Sequence, residues 1–464
     1  MFLGREEELS ILKDQQEHRL SRLVVLYGRR RVGKSSLLKE FLKNYTHTIY
    51  IEGLERRSST EQIDNFRIEL SKQIKDRVLP NITIADWRTM LSYLTDNFIL
   101  KTKERKIICL DEFQWMCSNR SALVSLLKFF WDNYWKDSNV VLILCGSIAS
   151  FMVNKVINSK ALYGRFSCTL SIKGLSPKEA VKLFRHKRGQ LEILKYLLIF
   201  GGIPRYLEEI DLNKSFEQNI NHLCFSKQSP FLNEVEKIFY SQFKEYQSYK
   251  KIITKLDNKL LNLSEISKVT GIASGGGLKN YMRNLENAEF IQSYKSIFSP
   301  DGNEKYKVSD EYLRFYFKYI SSKKTDLTHL NTVKDLSGFA IWLGFAFENF
   351  CIKNSLGIAK KLGFLDEVID YGPIFKTASS NFQVDLAFKR NNNIYTICEI
   401  KYYNNPVSTV VIPEVERKVL LLRDKIKEGA TIEKCLITPV GGSKELIASG
   451  YFNHVVTVKE LLAI

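Results

Sequence analysis

The sequence predicts a multidomain α/β chain. A parallel sheet covered by helices occupies residues 1–175, a helical lid or connector 176–249, a winged helix 250–325 and a second α/β domain 326–464. Three observations carry this reading. Continuously apolar, β-rich runs alternate with amphipathic stretches through the first third. A glycine-containing loop joins the first of these runs to a helix. The texture then changes twice, near Tyr249 and near Gly338. A chain of 464 residues also exceeds what one hydrophobic core serves, so several domains are expected.

In order, residues 23–27, 48–51, 107–110, 140–145 and 168–172 read as strands, and residues 62–74, 87–100 and 123–135 carry helical periodicity. Strands apolar on both faces that alternate with helices make a parallel sheet with helices on both sides. Ser176-Pro177-Lys178-Glu179 is a capping box with proline at the first helical position, so a helix starts there. The pattern stays helical to about Tyr249. Leu263-Ser264-Glu265-Ile266 then opens a short helix, residues 271–277 make a turn, and residues 278–289 read as a second helix. Two β-like pieces, 290–297 and 305–308, flank the turn Ser299-Pro300-Asp301-Gly302. Helix, turn, helix and hairpin is the order of a winged helix. From about Gly338 an aromatic-rich helix precedes new strands at 384–388, 394–400, 435–438 and 454–458.

Composition narrows the function classes. Lys and Arg outnumber Asp and Glu by 69 to 51, a formal charge of +18. That excess favours a polyanionic partner, because each bound phosphate releases condensed counterions; an ordinary basic soluble protein carries it too. With 44% hydrophobic and 12% aromatic residues the chain can bury sizeable cores, so disorder is excluded. Eight cysteines without a C-x-x-C spacing exclude a zinc ribbon and a redox motif, and Cys109, Cys145 and Cys398 sit in apolar runs as small buried hydrophobes. Neither a signal-peptide pattern nor a membrane-length apolar stretch is present, so a cytoplasmic location without membrane contact is expected.

Gly28-Arg29-Arg30-Arg31-Val32-Gly33-Lys34-Ser35 has the spacing of a phosphate-binding loop, preceded by a strand and followed by a helix from Ser36. The glycines let successive backbone N–H groups face phosphate at the positive end of that helix. Lys34 would reach the β- and γ-phosphates and the Ser35 hydroxyl would ligate Mg²⁺, so ATP or a close relative with Mg²⁺ is the expected ligand. The apolar run ending in Asp111-Glu112 puts two carboxylates at the sheet's C-terminal edge, where ligands of open α/β sheets lie. Asp111 would hold Mg²⁺ through water and Glu112 would orient or activate the attacking water. Gly146-Ser147 places a hydroxyl at a third strand end, suited to sensing the γ-phosphate. Arg165 and Arg205 are further candidates for nucleotide contact, against the reading of surface arginines; Arg29, Arg30 and Arg31 face either phosphate or solvent.

Phe2-Leu3-Gly4-Arg5-Glu6-Glu7-Glu8-Leu9, the phosphate loop, Leu110-Asp111-Glu112-Phe113-Gln114, Leu162-Tyr163-Gly164-Arg165 and Gly201-Gly202-Ile203-Pro204 together resemble the archaeal-type ATPases, on the AAA+/STAND side of the P-loop NTPases. The resemblance covers roughly the first half of the chain. It implies an ATP-binding core with a helical lid, followed by a winged helix, with Gly4 and Arg5 in a segment near the nucleotide. In a ring or dimer, Arg165 would matter as a finger acting in trans.

On the second helix of the winged-helix segment, Lys279 and Arg283 are four apart and share a face, while Leu278, Met282 and Leu285 face inward. Such a face can meet DNA phosphates or guanine edges, or serve as a protein-contact surface. In the last domain, residues 384–388 and 394–400 form a hairpin that brings Asp385 and Glu399 to the same end, with Lys401 two residues on. Two carboxylates and an ammonium can bind Mg²⁺ and position or deprotonate a water for phosphodiester attack, with Glu348 as a third carboxylate. The arrangement resembles the PD-(D/E)xK, restriction-endonuclease-like fold, although the position before Asp385 is Val384 rather than proline. E-x-K is weak by itself: Glu416-Arg417-Lys418 repeats it inside an evident helix. The expected whole is an ATPase coupled to DNA binding and Mg²⁺-dependent DNA cleavage. The rivals are an ATP-dependent signalling switch, whose later domains bind DNA or a protein partner without cutting, and a transcriptional regulator.

Overall fold

The computed structural model describes residues 2–117, 122–147, 149–226, 228–243, 245–256, 259–295, 297, 304–321, 333, 336–374 and 383–464. The chain divides into two compact units, Met1–Gly174 and Leu175–Ile464.

The first unit is built on five parallel strands, β1 (Arg22–Tyr27), β2 (Thr48–Glu52), β3 (Lys106–Asp111), β4 (Val140–Gly146) and β5 (Cys168–Ser171), in the order β2-β3-β4-β1-β5. Every residue of β3 and β4 is buried, as expected for central strands covered on both faces. This sheet agrees with the strands read from the sequence to within a residue at each end. The helices depart more. Trp87–Leu94 and Leu123–Phe130 are α-helical, but each continues in a π-helical turn, Thr95–Ile99 and Trp131–Trp135. A side chain marks the first change: Thr95 Oγ1 donates to the Leu91 carbonyl at 2.7 Å and accepts from Trp135 Nε1 at 2.9 Å. A hydroxyl bonded back to the i−4 carbonyl loosens the regular ladder, which apolar periodicity does not register.

In the second unit the Ser176 capping box is present and starts the helix Pro177–Leu183. The helices Leu263–Thr270 and Gly276–Asn287 follow; Asn262 caps the first through a capping box, and Gly271 ends it with φ 66°. The second helix opens at Gly276, two residues inside the expected turn. Beyond it, β7 (Ile291–Tyr294) pairs antiparallel with β8 (Lys305–Val308), and a two-residue strand β6 (Leu261–Asn262) pairs with the other edge of β8. The turn Ser299-Pro300-Asp301-Gly302 lies outside the described residues.

The second sheet of this unit comprises β9 (Val368–Ile374), β10 (Val384–Arg390), β11 (Ile394–Ile400), β12 (Thr431–Ile437) and β13 (His454–Val456), ordered β13-β12-β11-β10-β9. β9, β10 and β11 run antiparallel, while β11, β12 and β13 run parallel. Strand β9 was not legible in the sequence: it is an edge strand carrying Asp370, Gly372 and Pro373, with only two of its residues buried. The aromatic-rich helix is Phe339–Lys353.

Candidate functional site

The loop between β1 and the helix Lys34–Leu42 is shaped by close backbone approach. A Cβ on Gly28 would lie 2.2 Å from the Ile172 carbonyl oxygen, so only glycine fits, and Gly33 has φ 90°. Arg5 holds the loop from outside: its Nη2 donates to the carbonyls of Val32 at 2.8 Å and Lys173 at 2.5 Å. Arg5 is thus bonded to the backbone of the loop. Lys34 is buried and donates to the Arg29 carbonyl at 2.9 Å; burial pulls its ammonium below the ordinary lysine range, against the raising effect of Cys145, Glu112 and Asp111.

The strand ends complete a polar cluster. Ser35 Oγ and Tyr50 Oη each donate to Asp111 Oδ2 at 2.6 Å, and the Glu112 N–H donates to Asp111 Oδ1 at 2.8 Å. Glu112 has φ 47° and ψ 40°, left-handed values that strain a non-glycine residue and recur at functional sites. Its carboxylate accepts from Ser147 Oγ at 2.7 Å and from the Gln114 amide. Lys34, Ser35, Asp111, Glu112 and Ser147 therefore gather at one edge of the sheet. A serine hydroxyl against a buried carboxylate, beside a lysine, is an oxygen donor set suited to a divalent cation on a nucleotide phosphate. Tyr50 and Gln114 escaped the sequence reading. Tyr50 looks like an ordinary strand aromatic, and only the β2–β3 pairing reveals that it reaches Asp111.

The arginines separate. Arg29 is buried, Arg30 pairs with Glu55 at 2.9 Å, and Arg31 is exposed. Arg165 makes a two-point pair with Asp132, at 2.7 and 2.8 Å, and Arg205 pairs with Glu209 at 2.6 Å. The exposed Ser36 lies on the helix after the loop. Arg30, Arg31, Glu52, Glu112 and Trp115 border a cavity of about 720 Å³ beside the cluster.

In the second unit the β10–β11 register sets Leu386 against Cys398, which places Asp385 opposite Glu399. The Ile400 N–H donates to Asp385 Oδ2 at 3.3 Å. Glu399 is 2% exposed, and its two oxygens meet different cations: Lys401 Nζ at 2.8 Å and Lys418 Nζ at 2.7 Å. Lys418 belongs to the second E-x-K, on the helix Ile412–Arg423. It is buried on the stripe of Val415, Val419 and Leu422, and a lysine on that apolar stripe was the signal available. Burial works to lower Lys401, yet the hydrogen bond and charge of Glu399 push it up to about 12.

Glu348, on Phe339–Lys353, is pushed up to about 7, chiefly by burial and then by Asp385; Asp385 is itself raised by burial and by Glu399. Lys307 of β8 is pulled down to about 8 by burial and then by Arg314, with Glu348 and Asp385 opposing. Lys307 of the hairpin segment thus shares an electrostatic neighbourhood with these carboxylates. Among the described residues no group of three or more His, Cys, Asp or Glu side chains is arranged to hold a metal ion. Lys279 and Arg283 lie exposed on Gly276–Asn287, while Leu278, Met282 and Leu285 are buried. No helix among the described residues is long and apolar enough to cross a membrane.

Comparison with known proteins bears on the first of these sites. An uncharacterized protein of Methanocaldococcus jannaschii is 29% identical over 357 residues, covering 75% of this chain and 76% of its own. An uncharacterized ATP-binding protein of the same archaeon is 50% identical over 44 residues, 10% of this chain and 75% of its own. Among solved structures, the Walker-type ATPase of Pyrococcus abyssi aligns with a TM-score of 0.51 at 21% identity, covering 68% of this chain and 96% of that one, a likeness of fold. Residues 2–210 match the family model described as an ATPase domain predominantly from Archaea. Residues 2–210 are thus similar to the archaeal-type ATPase domains, and the loop and the sheet order β2-β3-β4-β1-β5 within them are those of a P-loop NTPase core.

Proposed function

We propose that the first unit binds and hydrolyses ATP with Mg²⁺, and that the second unit directs this cycle to DNA. The observation that carries the first half is the convergence of Lys34, Ser35, Asp111, Glu112 and Ser147 at the C-terminal edge of the parallel sheet. Ser35 and Asp111 would hold Mg²⁺, which when bound neutralises charge on the β- and γ-phosphates. Lys34 releases the Arg29 carbonyl and meets phosphate. Glu112 orients and deprotonates water, and Ser147, now bonded to Glu112, is placed to sense the γ-phosphate. Arg165 is held by Asp132 and would serve nucleotide only after leaving it, in trans within a homo-oligomer. Measuring ATP turnover by purified protein with and without Mg²⁺ tests this half; no turnover above background would overturn it.

For the second unit, the two helices with a three-stranded sheet support a winged helix whose Lys279 and Arg283 face DNA. Replacing both by alanine should weaken DNA binding and flatten its salt dependence by roughly one unit of slope per lost phosphate contact. Unchanged affinity and slope would assign that face to a protein partner. Asp385, Glu399 and Lys401 at one strand end support Mg²⁺-dependent cleavage, with Asp385 and Glu399 as metal ligands and Glu348 as the third carboxylate. A specific observation favours the rival: both Glu399 oxygens are already matched by ammonium groups, which suits a site that binds without cutting. Nicking of supercoiled plasmid with Mg²⁺ or Mn²⁺, with and without ATP, separates the two.

A further inference from the structure

We infer that Tyr50 is a positioning residue of the nucleotide site: its hydroxyl holds the Asp111 carboxylate where a divalent cation is received. This rests on the ATP-binding reading above. Asp111 is fully buried, and a buried carboxylate is costly unless its lone pairs are matched. The Glu112 N–H meets Oδ1, and Ser35 Oγ and Tyr50 Oη meet Oδ2, both at 2.6 Å; the Cys145 thiol is also hydrogen-bonded to the carboxylate. The donors differ in what nucleotide binding asks of them. Ser35 follows the loop glycine and lysine, and its oxygen is the one a cation on the phosphates would take. The Glu112 N–H belongs to a strained backbone turn next to the water-activating carboxylate. Tyr50 comes from the neighbouring strand β2, fixed by the β2–β3 register that sets Tyr50 beside Cys109 and Glu52 beside Asp111. Lys39 lies over its ring, 5.1 Å from the centroid, and the ring borders the cavity next to Glu112. Tyr50 therefore keeps Asp111 aimed while Ser35 changes partner from carboxylate to cation.

A partner behind a metal-binding carboxylate typically contributes ten- to a hundredfold in metal affinity. Tyr50→Phe deletes only the hydroxyl, leaving the ring under Lys39. Titrating the full-length protein with a fluorescent ADP analogue, in EDTA and in Mg²⁺, should show the same metal-free affinity as wild type. The Mg²⁺-dependent gain should fall about tenfold, with the melting temperature nearly unchanged. Adding Tyr50→Phe to Asp111→Asn should cost nothing further in that gain, since the two act as one unit. An undiminished or increased Mg²⁺ gain in Tyr50→Phe, an equal loss in EDTA, or additive losses in the double variant would each overturn the inference. Failure of wild type to bind the analogue at all would instead overturn the ATP-binding reading on which it rests.

Discussion

Replacing Lys34 by alanine is expected to abolish tight nucleotide binding, whereas Glu112→Gln keeps binding and loses hydrolysis by about a hundredfold or more. The asymmetry follows from what each group touches. The Lys34 ammonium is buried against its own loop, held by the Arg29 carbonyl, with no bulk water to screen it. In the proposed mechanism its charge acts on phosphate in the ground state, so its loss should appear in the dissociation constant. Glu112 is bonded to Ser147 and Gln114 rather than to the loop, and in the proposed mechanism it acts on water during the reaction. Glutamine preserves its shape and most of its hydrogen bonding but cannot take a proton. Nucleotide affinity and single-turnover hydrolysis, measured on both variants, check this. Undiminished turnover in both would refute the assigned roles.

What the sequence made legible follows from where information is local. The phosphate loop lies within eight consecutive residues, and the strands β1 to β5 are continuous apolar runs, so motif and pattern located both. The partners of Asp111 are not local: Ser35 and Tyr50 stand 76 and 61 residues away and meet it only through the strand order β2-β3-β4-β1-β5. The acidic strand end of the second unit was half legible for the same reason. Asp385 and Glu399 share a hairpin, so pairing parity alone put them together. Lys418 reaches Glu399 from a helix beyond the hairpin, a contact that no local spacing encodes. Strand β9 stayed hidden because an edge strand need not be apolar.

Lys418 supplies the largest expected change in stability. Glu399 is 2% exposed and the Lys418 side chain 8%, and the two are 2.7 Å apart. Removing one partner of a buried pair costs about 3–5 kcal/mol when the other charge is left unpaired; with Lys401 still 2.8 Å from Glu399 the loss lies toward the lower end. Lys418→Ala should therefore lower the melting temperature of the second unit clearly, while nucleotide binding by the first persists. Lys418→Met, which keeps the volume but not the charge, should recover little, because the lost balance of the buried Glu399 charge rather than the cavity dominates. Lys401→Ala should cost much less, since Lys401 is 25% exposed and Lys418 remains to balance Glu399. If Asp385, Glu399 and Lys401 cut DNA, Lys401→Ala should nevertheless stop cleavage and spare metal binding, whereas Asp385→Ala and Glu399→Ala should lose both. The titration of Glu348 adds a signature. Its folded-state value near 7 lies above the ordinary 4.5, so the folded state binds its proton more tightly than the unfolded chain. Its contribution is thus fully present below about pH 4.5 and declines as pH rises to about 7; Asp385, also raised, acts in the same direction. Divalent metal, which needs the ionised carboxylates, should bind more tightly over that climb and restore the lost stability. Thermal melts of wild type from pH 5 to 8, with and without Mn²⁺, read this directly. A metal effect absent at every pH, together with the predicted collapse of Lys418→Ala, would make Glu399 and its lysines a structural ion cluster and the second unit a binding module.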